Sequence, residues 1–167
     1  MPAGARRHEE RTHGCPRVTN TQEHLRALEA LYNAAPINRL FRSSLELPTV
    51  GESNLAFEVG EEHFHAAGAA HGTIYFKMLD DAAFYAVNSA VSDVFILTTA
   101  FNLHLERPVP AGRLVAEGRI VSGRRRLFVG ESRLVTADGE EVARGTGTFM
   151  RSKIALADIP AYAGARR

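Results

Sequence analysis

From Ile74 to Ala90 the chain is apolar around nearly every face of a helix, yet it carries two adjacent carboxylates, Asp80 and Asp81. A helix so rich in Leu, Ala, Phe and Met has no broad polar face to turn to water, so other structure must enclose it. An ionised carboxylate inside that enclosure costs several kcal/mol unless it is paired, hydrogen-bonded or used. The segment, introduced by His71-Gly72-Thr73, therefore asks for a layer wrapped around a central helix, and it marks the first place to look for chemistry.

The flanking patterns supply the layer. Asn20 or Thr21 can cap an amphipathic helix over 21–34 through Glu23, Leu25, Leu28, Leu31 and Tyr32, with Pro36 just past its end. Residues 43–49 and 54–60 read as two strands around the turn Val50-Gly51-Glu52-Ser53, and 61–71 as a loop. After the apolar helix the period changes to two. Phe95, Leu97, Thr99, Phe101, Leu103 and Leu105 share one face of a long strand, with Asn102, His104 and Glu106 on the other. Pro108 and Pro110 break that strand, and strands at 113–122, 127–136 and 141–150 follow across turns at 123–126 and 137–139. A hairpin, one long apolar helix and an antiparallel meander pack most simply as a curved sheet around the helix, an α+β arrangement.

Length and charge narrow the function. With 167 residues and 45% hydrophobic content the chain suits one domain, expected over 20–155, between a disordered tail at 1–19 and a C-terminal tail at 156–167. Twenty basic and 19 acidic residues, net +1, are spread through the chain, so the footprint of a nucleic-acid-binding protein is missing. Cys15 alone cannot form an internal disulfide or a cysteine-based metal cluster, which fits a reducing compartment, and the cytoplasm is the expected location. No run approaches the roughly 20 apolar residues that span a bilayer, and the N-terminal stretch has no apolar signal core. Its arginines evoke a transit peptide, but Glu9, Glu10 and the missing amphipathic face count against one.

That order of elements, with His71, Gly72 and Asp80, resembles the hotdog-fold acyl-CoA thioesterases, specifically the PaaI-like branch of phenylacetate degradation, over roughly residues 43–152. The family opens its central helix with His-Gly-Gly and carries an Asp seven residues after the second Gly. Here Thr73 replaces that second Gly, and His65 stands where the family has an Asn six residues before the motif His. A Ser or Thr early in the strand after the helix is matched by Thr98, and an Arg-Pro pair at its end by Arg107-Pro108. The resemblance implies a hotdog fold, a curved antiparallel sheet around a long central helix, here with an extra N-terminal helix. It further implies hydrolysis of a thioester, with coenzyme A as part of the substrate and no other cofactor. Homodimers, often paired again into tetramers, are implied as well. Hotdog domains also serve as dehydratases, hydratases and non-catalytic acyl binders, and those readings stand beside hydrolysis.

Thioester hydrolysis needs a stabiliser for the oxyanion and a group that activates water or attacks directly. Unpaired N–H groups at the helix start, reinforced by the helix dipole, make Gly72 the oxyanion candidate, with His71 and Thr73 beside it. Asp80 is the candidate base or nucleophile, because Phe76, Ala83 and Phe84 around it are apolar and raise its pKa. Asp81, four residues after Lys77, is explained by an ordinary helix ion pair or by substrate contact. His71 is expected to fix its loop by hydrogen bonds. His65 can orient the acyl group or water, or lie solvated, and Thr98 can hydrogen-bond water or Asp80. His63, His65 and His71 lack the spacing and carboxylate complement of a metal site, so none is expected. Arg107 and the turn residues Arg124, Arg125 and Arg126 are candidate substrate contacts, the last three for the phosphates of coenzyme A. Finally, eight residues separate Gly72 from Asp80 by about 12 Å along a helix. One carbonyl cannot touch both, so a shared thioester requires two antiparallel helices and a two-fold dimer with its sites at the interface.

Overall fold

The computed structural model describes residues 18–166. Helix α1 (Val18–Ala34) and a short α2 (Pro36–Phe41) precede strands β1 (Ser44–Glu46) and β2 (Glu52–Val59). The central helix α3 (Gly72–Asn88) follows, then β3 (Val94–Leu105), β4 (Gly112–Arg124), β5 (Leu127–Thr136), β6 (Glu141–Ala155) and α4 (Pro160–Ala165). All pairings are antiparallel, in the order β1-β2-β4-β5-β6-β3. The long strand that directly follows α3 therefore lies at the far edge, with one side unpaired among the described residues.

Residues 1–17 of the expected N-terminal tail, Cys15 among them, lie outside the described residues. Asn20 and Thr21, expected to cap α1, fall within its first turn. Two further expectations are corrected. The first strand is only Ser44–Glu46, and Glu52 and Ser53 belong to β2 rather than to the turn, because Gly51 at φ +89° makes the reversal there. Pro36 stands just past the end of α1, as expected, and begins a second helix, a position that suits its missing N–H. The segment after 155 is folded: α4 packs on α1 and buries Tyr162. His24 of α1 ties these ends to α3. Its Nε2–H donates to the Asn88 carbonyl (3.1 Å), which leaves Nδ1 to accept from the Tyr162 hydroxyl (2.6 Å). Burial lowers the pKa of His24, in keeping with a neutral ring.

The sheet wraps α3 at very short range. Ser53 of β2 and Ser132 of β5 donate to the Ala82 and Leu79 carbonyls of the helix (2.6 and 2.7 Å). Between those strands lies Gly118 of β4, where an added Cβ would stand 2.3 Å from the Ala82 carbonyl oxygen. Met78, Leu79, Ala82 and Ala83 are fully buried against this floor, together with Leu55, Leu114, Leu134 and Phe149 from the strands.

In β3 the observed faces depart from strict alternation. Thr98 pairs with Phe149 and Ala100 with Thr148, so Thr99 is an extra residue, and a second shift falls between Val94 and Ile96. Such bulges turn the strand by one residue. Ile96 is buried while Leu97 and Thr99 are exposed, contrary to the single face expected for Phe95 to Leu105. Thr98 thereby joins the helix-facing side.

Because the obstacle at Gly118 is helix backbone, Gly118→Ala must push α3 away from the sheet. Urea denaturation is expected to show a loss of roughly 2 kcal/mol or more; an unchanged midpoint would contradict this seat for the helix.

Candidate active site

One stripe of α3 runs along the edge strand. Gly72, Phe76, Asp80 and Phe84 recur every four residues and so lie on one helix face. Antiparallel to them, β3 offers a partner at each level. Leu105 Cδ1 lies 3.5 Å from where a Gly72 side chain would begin. Phe101 meets Phe76 edge to face, with ring centroids 5.8 Å apart. Thr98 Oγ1 donates to Asp80 Oδ1 at 3.0 Å, and Phe95 packs on Phe84 at 5.0 Å. A single polar rung thus sits between two aromatic ones. Burial raises the Asp80 carboxyl to about 6; the Thr98 hydrogen bond opposes the rise, Asp81 adds to it and Lys77 lowers it.

Asp81 points elsewhere. Lys77 donates to its carboxylate and to Asn38 Oδ1 (2.7 Å), and its ammonium lies 5.4 and 5.5 Å from the Tyr32 and Phe41 ring centroids. Burial raises the Asp81 carboxyl, and Lys77 only partly offsets the rise. The ion pair therefore clasps α1 and α2 onto α3, and Asp81 shares no contact with the Asp80–Thr98 rung.

At the helix start His71 is the N-cap. Its Nδ1 accepts from the Thr73 backbone N–H (3.2 Å) and lies 3.0 Å from the Thr73 hydroxyl, while its own N–H donates to the His63 carbonyl (2.8 Å). The helix opens at the surface, with His71 and Thr73 exposed and Gly72 part-buried. His65 occupies a tight turn closed by Gly68 at φ +82°, accepts from the Ala67 N–H at 3.0 Å and faces solvent. Its hydrogen bonds stay within its own loop, and none is to Asp80. Among the described residues no group of three or more His, Cys, Asp or Glu side chains is arranged to hold a metal ion, and no helix is long and apolar enough to cross a membrane.

Arg107 holds the end of β3 through its backbone, since the Tyr75 hydroxyl donates to the Arg107 carbonyl (3.0 Å) and accepts from the Val109 N–H (2.9 Å). Its guanidinium pairs with Glu140 at the surface. Arg124, Arg125 and Arg126 form the exposed tip of the β4–β5 hairpin, with Arg125 at φ +51°. Register links Gly123, Phe128, Phe149 and Thr98 across four strands, so the tip is level with the Asp80 rung, about 14 Å away at the usual strand spacing. Sequence reading missed Tyr75 as the clasp of the segment after β3, and it missed Phe101 as the partner of Phe76. Spacing four along α3 exposes the stripe itself, but its partners depend on the bulge in β3.

A folded-state pKa above the unfolded value means that ionising Asp80 opposes folding. That cost appears as pH rises from about 4 through 6 and is complete above it, up to about 3 kcal/mol at pH 7. Asp80→Asn keeps an acceptor for Thr98 and removes the charge. Thermal unfolding should therefore show the variant more stable than wild type at pH 7, with the gap closing near pH 4; a less stable variant at pH 7 would contradict the desolvated site.

Comparison with known proteins agrees with this geometry. The family profile of the thioesterase superfamily matches residues 67–143, which include the helix start and Asp80. An archaeal protein of Saccharolobus solfataricus named as a putative esterase is 26% identical over 100 residues, covering 60% of this chain and 67% of its own. The structure of the E. coli PaaI protein from the phenylacetic acid degradation operon superposes with a TM-score of 0.74 at 19% identity, over 81% of this chain and 97% of that one. A mutant of the phenylacetic acid degradation protein PaaI of Thermus thermophilus gives 0.64 at 28% identity, over 71% of this chain and all (100%) of that one. With its central helix, edge strand and matched segment taken together, the chain has the hotdog fold, PaaI-like in architecture, and resembles the thioesterase superfamily over residues 67–143.

Proposed function

We propose that the substrate is an acyl-CoA and that Asp80 is the reacting carboxylate, as general base towards water or as nucleophile. The observation that carries this reading is the Asp80–Thr98 rung, a carboxylate raised to about 6 between aromatic neighbours on an open edge. A base poised near the working pH combines availability with proton affinity. The Gly72 N–H, at the first position of α3 where no partner inside the helix exists, is the oxyanion donor.

The helix length then makes the site a property of two chains. Gly72 and Asp80 lie about 12 Å apart on α3, so the Gly72 of one copy serves the Asp80 of another across a two-fold axis. The unpaired side of β3 and the exposed Leu97 and Leu105 support the edge as the contact. A further pairing into a dimer of dimers fits the resemblance. Arg124, Arg125 and Arg126 bind the phosphates of coenzyme A, and the enzyme works in the cytoplasm. A dehydratase or hydratase would need a His at the carboxylate, whereas His65 and His71 are engaged in their own loop, which favours hydrolysis.

Thiol release from acyl-CoAs tests the chemistry. Asp80→Asn should lower kcat by about 10²–10⁴, and the wild-type rate should fall with acid through a limb near pH 6. Full activity in Asp80→Asn with loss in Asp81→Asn would transfer the role to the other carboxylate. Gly72→Pro tests the oxyanion donor. Proline is well tolerated at the first helical position, and His71 already has the extended backbone that a following proline requires (φ −67°, ψ 145°). The helix should persist while the rate drops by about 10²–10³. Mixed dimers of Gly72→Pro and Asp80→Asn chains should recover activity, because one of their two sites keeps both groups; verified mixed dimers without activity would refute shared sites.

A further inference from the structure

The stripe that carries Asp80 also carries a ring that the chemistry above leaves unused. Phe76 lies one turn before Asp80, about 6 Å along the axis. It is 43% exposed, whereas Ile74, Tyr75, Met78, Leu79, Phe84, Tyr85 and Val87 of the same helix are buried. Its edge-to-face partner Phe101, at an interplanar angle of 83°, has no room to withdraw. Gly145 and Gly147 of β6 lie directly beneath that ring, and an added Cβ would come within 2.4 and 2.6 Å of it. The matching pair on the other side of Asp80 is closed, with Phe84 only 8% exposed and also in contact with the Tyr85 and Phe149 rings. An apolar group brought to Asp80 therefore meets the exposed Phe76 ring, while Phe84 is closed off. Lys77, the cation closest to Asp80 on the helix, is committed to Asp81 and Asn38, so it offers no counter-charge to a carboxylated acyl tail.

We propose that Phe76, backed by Phe101, is a specificity-determining residue whose exposed ring seats an apolar, uncharged acyl group and sets how bulky that group can be. The assignment rests on Asp80 as the reacting carboxylate. A wall that is rigid from behind selects by fit, and one methylene more or less in such a pocket shifts kcat/KM by about 10–200-fold. Truncating the ring opens the space for longer groups and removes the surface that compact groups hold.

The test is a profile of kcat/KM for thiol release over straight-chain acyl-CoAs from acetyl to dodecanoyl, with succinyl-CoA as the carboxylated control. It compares wild type with Phe76→Ala and the milder Phe76→Leu, with oligomeric state followed by size-exclusion chromatography. In Phe76→Ala the acyl group preferred by wild type should lose at least about tenfold, chiefly through KM. Longer chains should lose less or gain, so the optimum moves to greater length, with Phe76→Leu in between and succinyl-CoA poor throughout. A uniform factor across the series, an unmoved optimum, or a broken dimer with an unchanged profile would overturn the assignment and leave Phe76 as packing or interface. Should wild type hydrolyse none of these thioesters, the acyl-CoA reading falls and the assignment with it; hydrolysis with an unmoved profile defeats the assignment alone.

Discussion

The seat of α3 on the sheet is the constraint from which the rest follows. Two serine hydroxyls satisfy helix carbonyls from below, and Gly118 lets backbone approach backbone where any side chain would collide. Helix and sheet are thus fixed in rotation as well as distance, and only one stripe of α3 can face the edge strand. That stripe contains Gly72, Phe76, Asp80 and Phe84, so the position of the carboxylate is decided by glycines and serines on strands remote from it in sequence. Interiors at this density transmit such constraints because they have no slack to absorb them.

The same packing accounts for the chemistry. Rings on either side strip water from Asp80 and raise its pKa, while a single hydroxyl from Thr98 keeps it oriented. Asp81, one residue later, is raised by burial as well, but the Lys77 ammonium pairs with it and opposes the rise. Two neighbouring acids, both raised by burial, thus meet different partners: a hydroxyl at Asp80 and an ammonium at Asp81. The separation of functions follows from the 100° between successive residues on a helix rather than from any difference in the residues themselves.

Much of this was legible in the chain. An apolar helix followed by a period-two meander required a wrapped sheet, Lys77 four residues before Asp81 foretold the ion pair, and apolar neighbours foretold the raised Asp80. His71 was readable as a loop-fixing residue, and it is the cap of α3. What escaped depends on long-range geometry. Two register shifts in β3 leave no periodic signature, so alternation alone put Leu97 and Thr99 on one face with Phe95; Thr98 as a partner of water or Asp80 came from the family resemblance, and it donates to Asp80. The folded end beyond 155 escaped because Leu156 and Tyr162 are too few to show a period, yet each is buried by a partner from elsewhere in the chain. Gly145 and Gly147 carry no pattern either; their role appears only under the Phe101 ring.

The enclosure of Asp80 by rings from α3 and β3 together holds its carboxyl poised near neutrality. Carboxyl carbon-13 NMR of aspartate-labelled protein, with Asp80 assigned through its Asn variant, measures that property without reference to any substrate. The account predicts that the Asp80 resonance titrates near pH 6, and that it moves towards ordinary aspartate values when Phe76 and Phe101 are both truncated to admit water. A resonance that stays ionised down to pH 4 in the intact protein would contradict it.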